Sequence, residues 1–194
     1  MKTTLQDFEF GGLVKVKKEG EMFGEDIFPS VILYNPKYVH NLGNVVRACS
    51  CFGAKSIIFT GSRISLETGN GKYRLPREER MKDYKDILIF NDEYPFNRFP
   101  KGTVPVAVEK RENSENLVNF EHPKNAVYVF GPEDGGIPQT FLRHCHRFVI
   151  IPSLHCTNLS AAVYIVLYDR MAKEERDFIQ QDFLETRRVM REEI

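Results

Sequence analysis

The sequence has 194 residues, with 27 basic and 27 acidic side chains, so its formal net charge is zero. Hydrophobic residues make up 42% and charged residues 28%, which is typical of globular proteins and excludes collagen-like, coiled-coil and disordered classes. The length suits one domain with extensions. The balanced charge argues against a protein that coats nucleic acid without selectivity.

The first residues lack the apolar core of a signal peptide, and the cysteines form no Cys-x-x-Cys pair. The longest apolar run, residues 161–168, is far too short to cross a bilayer. We therefore expect a cytoplasmic protein that has no membrane partner.

Short apolar runs, rich in β-branched residues, recur along the chain and are continuous rather than alternating. Such runs are typical of strands buried on both faces of a parallel sheet. The predicted strands are residues 31–34, 56–60, 87–90, 104–108, 126–130 and 148–151. The predicted helices are residues 44–52, 139–145 and 158–173. This alternation predicts an α/β fold, with a mostly parallel sheet and helices on both faces.

The chain divides into an N-terminal extension (1–30), a central domain (31–173) and a charged C-terminal helix (174–194). Residues 61–86 form a long polar excursion between two predicted strands, and excursions of that length are often functional.

The stretch after the first strand contains Asn41, Gly43 and Arg47. Asn41 is expected to cap the following helix, and Gly43 permits close approach of another backbone. Arg47 would then lie about a turn inside the helix, facing the crevice where open α/β sheets bind ligands. From this stretch alone, an ordinary solvated surface arginine is the better interpretation.

The stretch after the strand at 126–130 is rich in glycine and proline and carries the carboxylates of Glu133 and Asp134. Two carboxylates make a poor phosphate cradle, because like charges repel there. A cationic or ribose-bearing ligand suits this loop better. The alternative is a tight acidic turn without function.

The stretch after the last strand runs from Ile151-Pro152 to a helix that starts near Asn158, with small residues at its first positions. Small residues there allow another backbone to pack closely. The alternative is a capped helix of the core.

In this order and spacing, the three stretches resemble the three motifs of the SpoU/TrmH branch of the SPOUT superfamily, which are RNA ribose 2′-O-methyltransferases. The first motif, Asn-x-Gly-x-x-x-Arg, is matched by Asn41, Gly43 and Arg47. The matches to the second are Phe130, Gly131, Glu133, Gly136 and, conservatively, Ile137. The matches to the third are Ile151-Pro152 and Asn158-Leu159-Ser160, with Thr157 where leucine is usual.

The resemblance implies a C-terminal trefoil knot, S-adenosylmethionine as cofactor, and a homodimer with RNA lying across both subunits. The implied catalytic residues are Arg47, Glu133, Asn158 and Ser160. The implied cofactor-binding residues are Val108, Gly131, Gly136, Ile151, Thr157 and Leu159. Because an arginine has a pKa above about 12, we expect Arg47 to orient and polarise the ribose hydroxyl rather than to act as the base.

The charge distribution supports an RNA partner despite the neutral total. No acid lies between Asp26 and Glu67, and the excursion adds further bases. The candidate RNA-binding residues are Asn41, Arg47, Arg63, Arg74, Arg77 and Arg80. A local basic face set against acidic termini favours selective, salt-dependent binding.

Two alternatives remain open, and a third is disfavoured. Small family members that modify the tRNA wobble ribose are the most similar, which favours tRNA, but rRNA is an alternative substrate. A SPOUT-like dimer that binds RNA without catalysis is another. A metal site at His144, Cys145 and His146, with His155 and Cys156 nearby, matches no common zinc spacing, so we expect no metal.

Overall fold

A computed structural model describes residues 22–64 and 87–174. In chain order its strands are β1 (Ser30–Tyr34), β2 (Ser56–Thr60), β3 (Leu88–Asn91), β4 (Val104–Val108), β5 (Glu115–Asn116), β6 (Ala126–Phe130) and β7 (Arg147–Ile150). They form one sheet in the order β3-β2-β1-β6-β4-β7-β5, and each neighbouring pair is parallel. The predicted parallel α/β sheet is confirmed, and β5 is an added strand that the sequence analysis missed.

The strands are continuously apolar because both faces of the sheet are covered. In β1, Val31 and Leu33 belong to the core on one face, whereas Ile32 belongs to the core on the other. The first face is covered by α1 (Val39–Phe52) and α3 (Leu159–Glu174), which pack against each other. The second face is covered by α2 (Gln139–Leu142) and by two short 3₁₀ helices, Glu25–Ile27 and Pro95–Arg98.

Helix α1 begins earlier than predicted, at Val39 rather than at residue 44, and this corrects the role of Asn41. Extended Tyr38 stands at the N-cap, and Asn41 lies inside the first turn with only 1% of its surface exposed. The prediction that Asn41 caps the helix is therefore wrong, because its amide is used in tertiary hydrogen bonds instead. The helix ends at Gly53, whose φ of 76° gives the left-handed cap that favours glycine.

The other two helices differ less from expectation. Helix α2 is shorter than predicted and ends at Leu142. Helix α3 starts beside Asn158 as predicted, and the Asn158 Oδ1 accepts a hydrogen bond from the Ser160 N–H at 2.9 Å. This contact satisfies one of the free N–H groups at the helix start.

A buried polar cluster fastens α3 to the segment between β5 and β6. The side chain of His122 is 1% exposed, with Nδ1 2.6 Å from the Tyr128 hydroxyl and Nε2 2.8 Å from Asp169 Oδ2. Lys173 Nζ also bonds Asp169 Oδ2, at 2.6 Å. Burial lowers the pKa of His122 and outweighs the opposing effect of Asp169. Burial also raises the pKa of Tyr128 to about 12.

The parallel arrangement brings the carboxyl ends of β1, β2, β4, β6 and β7 to one edge of the sheet, so the loops that follow them gather there. Of the excursion, residues 65–86 lie outside the described part, and so do the predicted RNA-binding residues Arg74, Arg77 and Arg80. Within residues 22–64 and 87–174, no helix is long and apolar enough to span a membrane.

Candidate active site

A cavity of about 500 Å³ opens at this edge of the sheet, between the loops that follow β4, β6 and β7. Its volume falls within the range of small-molecule and cofactor sites. Five of the six predicted cofactor-binding residues line it: Val108, Gly131, Ile151, Thr157 and Leu159. The sixth, Gly136, does not line the cavity, although its neighbour Gly135 does.

Gly131 lets the loop after β6 fold back on itself. A Cβ at this position would lie 3.0 Å from the Ile137 nitrogen and 3.1 Å from the Gly136 carbonyl carbon. Those atoms are backbone and cannot swing aside, so a side chain here would force the loop open. The compact fold of the cavity wall therefore requires glycine at position 131.

Glu109, at the carboxyl end of β4, is a cavity residue that the sequence analysis missed. Its Oε2 accepts a hydrogen bond from the Ile137 N–H at 3.0 Å, and its Oε1 accepts one from the Lys110 N–H at 3.0 Å. A Cβ on Gly136 would lie 3.1 Å from Oε2. Gly136 thus makes room for this carboxylate, and the available signal was an acid directly after a buried strand.

Three of the four predicted catalytic residues meet in one hydrogen-bonded network centred on Asn41. The Asn41 Nδ2 donates to Glu133 Oε1 at 2.5 Å, and its Oδ1 accepts from Asn158 Nδ2 at 3.2 Å. The Ser160 hydroxyl lies 2.7 Å from Asn158 Oδ1 and 3.4 Å from Asn41 Oδ1. The network ties the start of α1 to the loop after β6 and to the start of α3.

Glu133 is held as an anion at the cavity wall. Partial burial alone would raise its pKa, but the hydrogen bonds from Asn41 and from the Lys37 N–H together lower the pKa of this carboxyl below its ordinary value. The Lys37 N–H donates to Oε2 at 2.8 Å. Two acidic residues, Glu109 and Glu133, and one basic residue, Lys110, line the cavity, so its lining carries a net negative charge, which favours a ligand that carries positive charge.

Arg47, the fourth predicted catalytic residue, is half-buried on α1. It lies on the same helix as Asn41 but is not among the cavity-lining residues. The structure therefore places Arg47 on an element of the site and outside the cavity wall.

Asp134 points to a different partner from its neighbour Glu133. Both of its oxygens accept from the Arg63 guanidinium, at 2.8 and 2.6 Å, and Lys37 Nζ lies 3.3 Å from Oδ2. The Arg63 hydrogen bonds, with help from Lys37, hold the pKa of Asp134 well below its usual range. Asp134 does not line the cavity, so the two acids of this loop have separate roles.

Of the residues weighed as a metal site, His144 and Cys145 are engaged in packing, whereas His146, His155 and Cys156 are exposed. His144 stacks on Phe96 with ring centroids 4.6 Å apart and contacts the Tyr94 hydroxyl. Cys145 is buried, and burial raises the pKa of its thiol to about 12. Among the described residues, no group of three or more His, Cys, Asp or Glu is placed to hold a metal ion.

A model of the SpoU rRNA methylase family matches residues 29–168. One relative, the putative RNA (cytidine(34)-2′-O)-methyltransferase of Lactobacillus gasseri, is 26% identical over 151 residues, covering 74% of this chain and 80% of its own.

Two solved structures share the fold. One, from work on the 2′-OH methylation of C/U34 on tRNA, has a TM-score of 0.62 and 22% identity, covering 74% of this chain and 94% of its own. The other is the SpoU methyltransferase AviRb from Streptomyces viridochromogenes in complex with AdoMet. It has a TM-score of 0.60 and 19% identity, covering 79% of this chain and 60% of its own.

Proposed function

This chain belongs to the SpoU rRNA methylase family, and on that premise we propose that it methylates the ribose 2′-hydroxyl of tRNA with S-adenosylmethionine as methyl donor. One observation carries the proposal. The motif residues Glu133, Asn158 and Ser160 meet through Asn41, which lies 92 to 119 positions away from them in the chain, beside a cavity of cofactor size.

The cavity fits this cofactor in shape and charge. Phe130, Ile151 and Leu159 offer apolar surface for the adenine ring, and Gly131 contributes backbone to the cavity wall. The carboxylates of Glu109 and Glu133 suit a cationic ligand. When bound, S-adenosylmethionine supplies an electrophilic methyl group on a positively charged sulfur.

The residues of the chain position the reacting ribose. We propose that Asn158, Ser160 and Glu133 hold the ribose and the cofactor, and that the Arg47 guanidinium orients the 2′-hydroxyl and the neighbouring phosphate. Its forked donors suit that role, whereas its high pKa makes it a poor base. Much of the rate gain then comes from the alignment of hydroxyl, methyl and sulfur.

Nucleotide 34 of tRNA is the proposed target, because the Lactobacillus gasseri relative is named for cytidine 34. A ribosomal RNA target is the second candidate, since the family itself is described by rRNA methylation. With tRNA as the substrate, we place the protein in the cytoplasm.

We also propose a homodimer formed through the outer surface of α1 and α3. Phe52 contacts the rings of Tyr164 and Tyr168 with centroids 5.8 Å apart. Tyr168 is 56% exposed and Ile165 is 38% exposed, which leaves apolar surface uncovered. Sedimentation should give twice the chain mass, and Tyr168→Glu should give a monomer.

The family resemblance extends the proposal to the topology and the domain limits. We propose that the segment after β7 is threaded as a trefoil knot and that the methyltransferase domain spans residues 31–173. Stretching the unfolded chain by its ends tests the knot. An unknotted chain should extend to about 3.5 Å per residue. A chain that keeps a tightened knot should have a measurably shorter end-to-end length.

Calorimetry and methyl transfer together test the proposed function. We expect the purified protein to bind S-adenosylmethionine and to transfer tritiated methyl to bulk tRNA, with mass spectrometry locating the label on the ribose of nucleotide 34. Transfer to rRNA alone would select the second candidate. Binding without transfer to either RNA would indicate the non-catalytic dimer, and absence of cofactor binding would contradict the methyltransferase.

A further inference from the structure

Three charged side chains from three different loops meet beside the cavity. Lys37 follows β1, Arg63 follows β2 and Asp134 follows β6. The two terminal guanidinium nitrogens of Arg63 donate to the two carboxylate oxygens of Asp134 at 2.8 and 2.6 Å, and Lys37 Nζ lies 3.3 Å from Oδ2. Two cations are thus aimed at a single anionic group.

This contact is a weak explanation for the stability of the fold. The three side chains are 32–43% exposed, and exposed ion pairs contribute only about 0–1 kcal/mol. The loop that carries Lys37 is already attached to the loop after β6 through the hydrogen bond from the Lys37 N–H to the Glu133 carboxylate. The arrangement therefore needs a reason other than stability.

A phosphate diester binds the same hydrogen-bond donors and positive charges as the Asp134 carboxylate. Its two anionic oxygens accept the forked donors of an arginine in the same bidentate way, and a lysine adds a point charge. Every ribose in RNA has a phosphate on either side. Asp134 lies between two residues that line the cavity, Glu133 and Gly135, so its binding partners are placed for a phosphate next to a ribose that lies beside the cavity.

We propose that Lys37 and Arg63 form a binding site for a backbone phosphate of the substrate RNA, and that Asp134 occupies this site until the RNA displaces it. The inference rests on the proposed function, because it requires an RNA substrate. Asp134 can leave without disturbing Glu133, since Glu133 is held separately by Asn41 and by the Lys37 N–H.

An internal competitor of this kind lowers the affinity for every RNA by the same factor. The ratio of affinities between two RNAs is therefore unchanged, but an RNA that offers only its phosphates binds too weakly to stay bound, whereas one that makes further contacts remains bound. Asp134 thereby lowers the occupancy of a basic surface by weakly held nucleic acid.

Asp134→Asn tests the proposal, because asparagine keeps the size of the side chain and removes its charge. In filter binding of bulk tRNA to the full chain, we expect the affinity to rise about two- to fivefold, the range open to an exposed ion pair. We expect a steeper dependence of affinity on salt. Arg63→Gln should weaken binding and flatten that dependence, and it should do so more strongly in the Asp134→Asn background.

Glu115→Gln is the matched control. Glu115 forms the same forked pair with Arg147, at 2.9 and 2.6 Å, and Arg147 stands at the amino end of β7, away from the edge of the sheet that bears the cavity. Removing that carboxylate should change the tRNA affinity by less than about twofold. That limit equals the smallest rise expected for Asp134→Asn. Calorimetry should give the same cofactor affinity for Asp134→Asn as for the unaltered protein.

Unchanged or weaker tRNA binding by Asp134→Asn, in a protein that binds cofactor and methylates tRNA, would overturn this proposal alone. Absence of tRNA binding by the unaltered protein would overturn it together with the proposed function. Asp134→Ser removes the same carboxylate with a smaller side chain, and the two variants must agree.

Discussion

Asn41 and Glu133 stand 92 positions apart in the chain and are joined by a hydrogen bond of 2.5 Å from the Asn41 amide to the Glu133 carboxylate. Asn41 is almost completely buried, and its carbonyl oxygen also accepts from Asn158. One amide therefore bridges the loops of all three sequence motifs. A primary amide suits this position because it donates to an anion with one atom and accepts with the other.

Asn41→Asp should destabilise the protein in a pH-dependent way. It replaces the donor with a second carboxylate beside Glu133, and like charges at this distance raise the pKa of the pair. The folded state then holds a proton that the unfolded state releases, so the penalty grows as the pH rises above the ordinary carboxyl range and shrinks in acid. At neutral pH we expect a loss of about 2–4 kcal/mol in denaturant unfolding.

The control for that prediction is Asn41→Ala. It removes the same hydrogen bonds without adding charge, so its loss of stability should depend less on pH. Parallel pH profiles for the two variants would contradict a direct contact between positions 41 and 133.

Arg47→Ala should retain the fold and most of the affinity for S-adenosylmethionine but lose methyl transfer by about a hundredfold or more, the effect of removing one donor to the reacting group. The reason is that Arg47 lies outside the cavity wall and is assigned to the ribose rather than to the cofactor. Calorimetry and tritium transfer separate the two effects. Arg47→Lys keeps the charge without the forked donors and should recover only part of the activity. Undiminished turnover in Arg47→Ala would refute the role assigned to Arg47.

Gly131→Ala should weaken cofactor binding by at least about tenfold, which corresponds to about 1.4 kcal/mol. The added Cβ would press on backbone atoms at 3.0–3.3 Å and open the cavity wall. Gly135→Ala in the same loop is the matched control, because its Cβ would meet only Pro132 Cγ, at an ordinary 3.6 Å. Both changes stiffen the unfolded chain equally. Calorimetry that found either an unchanged cofactor affinity in Gly131→Ala or an equal loss in both variants would contradict this role of Gly131.

His122 should make the protein lose stability as the pH falls. Burial lowers the pKa of His122 in the folded state. As the pH falls, the unfolded chain therefore binds a proton first, near pH 6.5. The stability of the folded state decreases from that pH down to the lowered pKa of His122 in the fold. Denaturant unfolding between pH 5 and 8 measures this. His122→Gln should lower the free energy of unfolding by about 1–3 kcal/mol at neutral pH, because buried hydrogen bonds are lost. Its stability should also depend less on pH. The control is His146→Gln, at an exposed position, which should keep the pH dependence of the unaltered protein.

The strands were predictable because a strand that is covered on both faces must be apolar throughout, and this pattern is visible without a structure. The same sequence pattern could not reveal β5, which has only two residues, both exposed. Nor could it assign Asn41, because asparagine is a common helix cap and the partners that bury its amide lie 92 and 117 positions away.

The motif loops could be located from sequence, but their acids could not be distinguished. Glu133 and Asp134 are adjacent and chemically alike, yet one lines the cavity and the other binds Arg63. Glu109 was missed for a related reason, since a single acid after a strand resembles any surface acid. Only the fold of the loop, with the Ile137 N–H directed at its carboxylate, distinguishes it.

The distance along the chain between the parts of the active site has a consequence for its biosynthesis. Asn158 and Ser160 reach Asn41 across 117 and 119 positions. A ribosome adds about 5–20 residues per second, so for several seconds after α1 emerges the nascent chain lacks this network, and the cofactor cavity stays incomplete until its last lining residue, Ala162, has been added. The cofactor can then stabilise only the finished fold, by linkage, and growing chains do not compete with mature enzyme for the cellular methyl donor.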